Sequence, residues 1–180
     1  MAQSSPNKTI EDVTIAFRNF AGKEDQYNRA GNRNFAIFLS PELAEEMERE
    51  GWNVKYLRER EEGDGQQAYL QVAVSYKARP PKIAMVTSKG ISYLTEDMVE
   101  MLDWVDIETA DVTINPYEWV VNGKTGVKAY VHSLFIKIEE DYLQMKWQAI
   151  VDGTRQIESS RNDYIDGEYT VNQLELEGAG

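Results

Sequence analysis

Aromatic and cationic side chains alternate along three segments of this 180-residue chain. The residues are Phe17, Arg18, Phe20, Lys23, Tyr27, Arg29, Arg33 and Phe35; then Tyr69, Tyr76, Lys77, Arg79 and Lys82; then Tyr117, Trp119, Lys124, Lys128 and Tyr130. Aromatic rings stack on nucleobases while lysine and arginine follow the phosphates, a combination that binds single strands without choosing a base sequence. The pattern therefore predicts contact with a single-stranded nucleic acid.

Core packing is the competing explanation for these rings, and for any one of them it is the simpler one. Phe17, Phe35 and Tyr76 fall on apolar faces, which predicts that they are buried. Tyr27 lies in a polar loop with nothing apolar beside it. It is the ring that packing explains least well.

A group of carboxylates at Asp103, Asp106, Glu108 and Asp111 raises the alternative of a magnesium-dependent nuclease. Clustered carboxylates hold hard cations and activate water. On a strand, however, Asp106 and Glu108 share one face while Asp103 and Asp111 share the other, so the four do not converge. An acidic solvated face is the favoured interpretation, and no metal site is predicted.

Other catalytic chemistry has little support in the sequence. His132 is the single histidine, and no serine, cysteine or acid stands at a spacing that would complete a triad with it. The chain has no cysteine, which excludes thiol catalysis and cysteine-ligated zinc within it. Its glycines match neither a Walker A loop nor a dinucleotide fingerprint. We therefore expect no cofactor and no enzymatic activity.

The charge distribution matters more than the formal net charge of −12. Such a charge would ordinarily argue against binding a polyanion, because affinity comes chiefly from lysine and arginine contacts to phosphate. Residues 67–95, however, contain four cations and no carboxylate, while residues 96–122 contain eight carboxylates and no cation. Positive and negative charges on separate surfaces can direct a polyanion to one surface and repel it from the other.

Hydrophobic periodicity and turn residues predict a mainly β protein. Alternation indicates strands at 9–20, 35–39, 52–57, 68–76, 83–87, 105–115, 117–121 and 127–138, and helices are predicted at 41–50, 95–102 and 139–148. Asn122-Gly123 marks a hairpin. This number of short strands favours a single barrel of the oligonucleotide-binding type with two or three short inserted helices. The predicted organisation is a flexible N-terminus at 1–8, the barrel at 9–150, and an acidic, flexible tail at 151–180.

The expected location is the cytoplasm, without membrane association. No apolar run approaches the roughly 20 residues that cross a bilayer. The first seven residues lack the basic and apolar regions of a secretory signal, and the absence of cysteine fits a reducing compartment.

Four segments of the chain resemble a family of small phage-encoded single-stranded DNA-binding proteins. They are TIEDVTIAFRNFAGKEDQYNRAGNRNFAIFL, GWNVKYLREREEGD, YLQVAVSYKARPPKI and INPYEWVVNGKTGVKAYVHSLFIKIEED, and the likeness covers about residues 9–142. The resemblance implies an oligonucleotide-binding barrel that binds single strands during phage DNA replication and recombination, in the host cytoplasm. It also implies an acidic C-terminal segment that contacts replication or recombination proteins. Here the last seven residues carry only two carboxylates.

The leading hypothesis is a non-catalytic, largely sequence-independent binder of single-stranded DNA. The expected DNA-binding residues are Arg18, Lys23, Tyr27, Arg29, Arg33, Tyr69, Lys77, Arg79, Lys82, Lys89, Tyr117, Trp119 and Lys124. The alternative is a virion or host-takeover interaction protein that uses its acidic face against a basic partner. The sequence leaves open whether the chain is a monomer or a homodimer, and whether it prefers DNA or RNA.

Overall fold

The computed structural model describes residues 6–162, and these residues are mainly β, as predicted. The strands are β1 (Lys8–Val13), β2 (Ile15–Asn19), β3 (Arg33–Leu39), β4 (Val54–Tyr56), β5 (Ala68–Val74), β6 (Lys82–Thr87), β7 (Gly90–Leu94), β8 (Ile107–Val121) and β9 (Lys124–Ile138); the helices are α1 (Pro41–Arg49), a 3-10 helix (Val99–Asp103) and α2 (Tyr142–Asn162). The chain divides into two compact units, Met1–Glu139 and Glu140–Gly180.

The strands form one sheet whose hydrogen-bonded path runs β1-β8-β9-β5-β3-β2, with β4 on β5 and with β6 between β7 and β9. The sheet is not closed, because no ladder joins the end strands β1 and β2 within residues 6–162. Only Thr14 separates these two strands in the chain. The backbone turns at Asp12, where φ is +53°, and the chain then changes its partner from β8 to β3. The two ends of the sheet are therefore connected by the chain itself, through this bend, and not by hydrogen bonds between β1 and β2.

The core lies on the inner face of this sheet. Along β5, Leu70, Val72 and Val74 are buried, while the residues between them face outward, as the alternation predicts. Phe20 and Phe35 are fully buried and stack with their ring centres 5.1 Å apart. The burial of Phe35 is therefore confirmed.

Helix α1 begins and ends where its sequence predicts. The Ser40 hydroxyl accepts a hydrogen bond from the Leu43 amide, and proline occupies the first turn, where its missing N–H is not needed. The helix is followed by Gly51 at φ +92°, a conformation that favours glycine. Ala44 and Met47 are buried and attach the helix to the sheet.

Three features around β7 and β8 differ from the prediction. Residues 90–94 form the unpredicted strand β7, which pairs with β6, and the predicted helix at 95–102 is a 3-10 turn at 99–103. β8 also continues through Pro116, which sequence reasoning placed between two strands. Beyond Ile114, β8 pairs only with β9, so it is an edge strand there and tolerates proline.

The second unit contains α2, which is longer than the helix predicted at 139–148. Its first turn is capped by Asp141, whose carboxylate accepts from the amides of Leu143 and Gln144. The helix reaches Asn162, so it includes the first part of the predicted tail, and residues 163–180 lie outside the described residues. Among the described helices, none is long and apolar enough to cross a bilayer.

Candidate nucleic-acid interface

A groove crosses the outer face of β2, β3, β5 and β9. It consists of two adjoining depressions with volumes of about 690 Å³ and 890 Å³, here called the first and second lobes. Both lobes are lined by Tyr27, Asn28, Asn34 and Gln71, so they form one continuous surface. Asn34 and Gln71 belong to the floor because they alternate with the core residues of β3 and β5.

The loop between β2 and β3 forms one wall of the groove. Gly22 and Gly31 close the neck of this loop: the Gly31 amide donates to the Gly22 carbonyl at 2.8 Å, and a side chain at Gly22 would press on the Gly31 backbone. The side-chain amide of Asn28 donates to the carbonyls of Lys23 and Asn32, both at 2.9 Å. These bonds hold the loop in one shape, so Lys23 and Tyr27 are presented without a large ordering cost on binding.

Phe17 and Tyr69 lie in the first lobe with their ring centres 5.9 Å apart. The predicted burial of Phe17 is wrong, because its side chain is 60% exposed. Its φ of +49° and the register shift between Ala16 and Asn19 interrupt the alternation of β2, which turns the ring out of the core.

Trp104 also lines the first lobe and was missed by sequence reasoning. It follows the 3-10 helix, it is 73% exposed, and the Lys23 ammonium lies 4.9 Å from its ring centre. A cation over an exposed tryptophan places a base-stacking group and a phosphate-binding group side by side. The available signal was a tryptophan between two acidic residues, Asp103 and Asp106, at the end of a short helix.

The second lobe contains an ion pair on its floor. Arg33 donates to a Glu96 carboxylate oxygen at 3.0 Å, and its guanidinium carbon lies 5.5 Å from the ring centre of Tyr76. Burial raises the pKa of the Tyr76 hydroxyl; Arg33 opposes this shift and Glu96 adds to it. Tyr76 therefore stays neutral at physiological pH. Its predicted burial is met only in part, because the ring also lines the groove.

Trp119 and Tyr130 are two further rings of the second lobe, beside Lys128. The Trp119 ring lies over Gly126, its cross-strand neighbour, so closely that an added Cβ there would stand 2.5 Å from the ring. Tyr130 packs edge-on against Tyr117 at 6.0 Å. The absence of a side chain at Gly126 therefore allows the Trp119 indole to lie across β9.

Gly126→Ala is expected to displace the Trp119 ring and so perturb the second lobe. Its backbone is not at positive φ, so the methyl group acts through the ring contact alone. Tryptophan fluorescence should shift, with little loss of stability because the hairpin is exposed. Gly123→Ala is not an equivalent control because Gly123 has φ +77°; Lys124→Ala in the same hairpin is suitable. An unchanged spectrum in Gly126→Ala would contradict the contact.

The predicted binding residues fall into two groups. Those that line the groove are Arg18, Lys23, Tyr27, Arg33, Tyr69, Lys77 and Trp119. Those outside its lining are Arg29, Arg79, Lys82, Lys89, Tyr117 and Lys124, all of them exposed. Sequence reasoning did not single out Phe17, Trp104, Lys128 and Tyr130 as site residues, although all four line the groove.

Arg18 has a structural task as well as a place in the first lobe. One of its guanidinium nitrogens donates to the carbonyls of Leu102 and Val105, at 2.8 Å and 2.6 Å. These carbonyls lie at the end of the 3-10 helix, where a cation is favourable. Arg18 thus fixes the segment that carries Trp104.

Two of the four carboxylates considered for a metal site, Asp103 and Asp111, have backbone partners. Asp103 accepts from the amides of Phe20 and Ala21 at 2.7 Å and 3.0 Å, and Asp111 accepts from the Asp12 amide at 2.9 Å. Within residues 6–162, no three potential ligands come together in a metal-binding arrangement. The geometry gives Asp103 and Asp111 structural roles.

Asp103→Ala is expected to lower the free energy of unfolding by about 1–3 kcal/mol, because two partly buried amides lose their acceptor. Chemical denaturation measures this change. Asp106→Ala is the matched control, since Asp106 is exposed, and it should be nearly neutral. Equal stability of the two variants would contradict the structural role.

An open, mainly β sheet that carries a groove lined by exposed rings and cations is the arrangement of a single-stranded nucleic-acid-binding protein. The sequence specifies the class further. A family model described as "Putative phage ssDNA-binding domain" matches residues 2–178, and the chain belongs to this family.

Comparisons with other proteins give distant similarities. No curated protein sequence matches the chain. The single-stranded DNA-binding protein of bacteriophage Enc34, C-terminally truncated, is 7% identical, with 75% of this chain and 87% of that chain covered and a TM-score of 0.49. The same protein in complex with ssDNA is 6% identical, with 75% and 88% covered and a TM-score of 0.49. Bacteriophage T7 gp2.5, a single-stranded DNA-binding protein, is 13% identical, with 76% and 88% covered and a TM-score of 0.39. The family assignment rests on the sequence match alone.

Proposed function

We propose that this protein binds single-stranded DNA in the groove, without catalysis and largely without base selection, during phage DNA replication or recombination. The observation that carries the proposal is the lining of both lobes by exposed or half-buried aromatic rings with a cation beside them. In the first lobe Lys23 accompanies Trp104, and in the second Lys128 accompanies Tyr130, with its ammonium 5.0 Å from that ring centre.

The charge of the groove supports a polyanionic ligand. Five cations line the two lobes, and of the three carboxylates in the lining, each is already engaged. Asp25 accepts from the Tyr27 amide, Asp103 accepts from two backbone amides, and Glu96 pairs with Arg33. Five cations against three carboxylates give the lining a formal charge of +2, although the formal net charge of the chain is −12.

The lack of base selection follows from the kind of contacts available. Every base has a π-face, so stacking tolerates any sequence, and phosphate contacts carry no sequence information. Family membership supports single-stranded DNA as the ligand and a phage as the setting. Replication or recombination is the role that we propose for this binding. Recruitment of replication proteins through the acidic C-terminal segment belongs to the same proposal, and residues 163–180 of that segment lie outside the described residues.

Fluorescence anisotropy with an unstructured DNA oligonucleotide at two salt concentrations tests the proposal. We expect binding at low salt that weakens steeply as salt rises, because bound phosphates release counterions. An RNA oligonucleotide of the same length measures the preference for DNA. Absence of binding at low salt would sink the proposal, and degradation of the labelled strand in magnesium would replace it with the nuclease alternative.

A further inference from the structure

We infer that the bound strand continues beyond the groove onto a second stacking platform on the outer face of β6 and β7, with Tyr93 as its ring. This platform comprises Lys82, Tyr93 and Phe135, and its assignment rests on the proposed binding of single-stranded DNA. It would lengthen the binding site rather than form a separate one. Neither the prediction from sequence nor the groove itself includes Tyr93.

The platform is a row of neighbouring side chains across three strands. Tyr93 on β7, Ala84 on β6 and Phe135 on β9 are neighbours in register. The alanine is fully buried beneath the two rings, whose centres lie 6.5 Å apart, edge to face. Tyr93 nevertheless remains 57% exposed, and the Lys82 ammonium lies 5.6 Å from its ring centre. This repeats the pairing of an exposed ring with a cation that Trp104 and Lys23 form in the first lobe.

Strand β9 connects the groove to the platform. β5 and β6 pair in succession along β9, β5 at Ala129 and Tyr130 and β6 from Ser133 onward. The buried positions of β9 shift by one residue between Val131 and Leu134, at the irregularity opposite β8, so Tyr130 and Phe135 both face outward. Five residues of strand span about 16 Å, a distance that a few nucleotides of an extended strand can cover.

The charges around the platform favour a polyanion on the β6–β7 side. Residues 67–95 contain no carboxylate, and Lys77, at the end of the groove, precedes β6 by one short turn that carries Arg79. Lys89 occupies the turn between β6 and β7. Acids border the platform on two sides. On β8, Asp111 is the register neighbour of Phe135 and accepts from the Asp12 amide, and Glu108 pairs with Lys137 at 3.3 Å. Glu96, which pairs with Arg33, and Asp97 follow the end of β7. A strand leaving the second lobe is thus attracted along β6 and repelled from β8.

The test compares a short and a long oligothymidine, of about 5 and about 15 nucleotides, near the ends of the range that single domains of this kind occupy. Tyr93→Leu keeps the apolar cover over Ala84 but removes the ring, so folding is preserved. We expect it to weaken binding of the long strand by at least about fivefold, the lower bound for loss of one stacked base, and to leave binding of the short strand unchanged. Tyr93→Phe should bind both strands normally.

Controls separate this proposal from its alternatives. Ile91→Ala removes a similarly exposed apolar group from the same strand and should affect neither oligonucleotide. Equal weakening at both lengths, or no weakening at either, would overturn the platform. A different sedimentation coefficient of the Tyr93→Leu variant in the absence of DNA would also overturn it, because a second copy of the chain would then cover the platform in the wild-type protein. If the wild-type protein binds neither strand, the proposed function itself fails, which is a different result.

Discussion

Replacing Tyr27 by alanine is expected to weaken binding of an unstructured DNA oligonucleotide by about 5- to 150-fold. This range corresponds to the roughly 1–3 kcal/mol that one ring contributes by stacking on a base. Tyr27 is 90% exposed and lines both lobes, so its ring lies where a strand must pass from one lobe to the other. Because the ring contributes no core packing, the free energy of unfolding should stay the same.

The Tyr27 experiment has a matched control in Tyr56, which is half-exposed on β4 and hydrogen-bonded to Glu48 outside the groove. Tyr56→Ala should leave the affinity for DNA unchanged. Tyr27→Phe keeps the ring and should bind almost as tightly as the wild-type protein. If Tyr27→Ala and Tyr56→Ala bind DNA equally well, the strand does not cross the junction of the two lobes.

The second large effect is expected from the three lysines that line the groove. Combined replacement of Lys23, Lys77 and Lys128 by glutamine should flatten the slope of log affinity against log salt by about 2, since each phosphate contact to a single strand contributes about 0.7. Affinity at low salt should fall by an order of magnitude or more for the same reason. Equilibrium titrations at four or five salt concentrations measure both quantities.

The control variant also replaces three lysines by glutamine, so its formal net charge changes by the same three units. These lysines are exposed and lie outside the groove lining: Lys55, Lys137 and Lys146. It should retain most of the affinity and nearly all of the salt slope. Similar losses in both variants would mean that the overall charge governs binding, and that the groove lysines have no special position.

Local patterns predicted much of the fold because their causes are local. Alternating side chains in β5, the serine cap and first-turn proline of α1, and the Asn-Gly turn between β8 and β9 each depend on neighbouring residues. At Asn122 and Gly123 φ is +51° and +77°, as this type of hairpin turn requires. The sequence likewise predicted that Tyr27 would be exposed, because its loop offers nothing to cover a ring.

The composition of the groove depended instead on long-range pairing. Phe17 faces outward because its φ is +49° and the register of β2 against β3 shifts between Ala16 and Asn19, an irregularity that the alternation of the neighbouring residues does not predict. Trp104 is positioned by Arg18, more than eighty residues earlier in the chain. Arg29 and Arg79 stand beside aromatic residues and other cations in the sequence, as the groove cations do, yet they are exposed and do not line the groove.

By itself, the sequence determined the family, the mainly β class and the kinds of side chain that meet the ligand. The tertiary structure decided which of those side chains meet each other and that the sheet remains open. The physical reason is that alternation and turns are set by bonds between near neighbours, whereas the groove joins side chains from β2, β3, β5, β8 and β9. These side chains come together only through the register of the strands and the bend between β1 and β2.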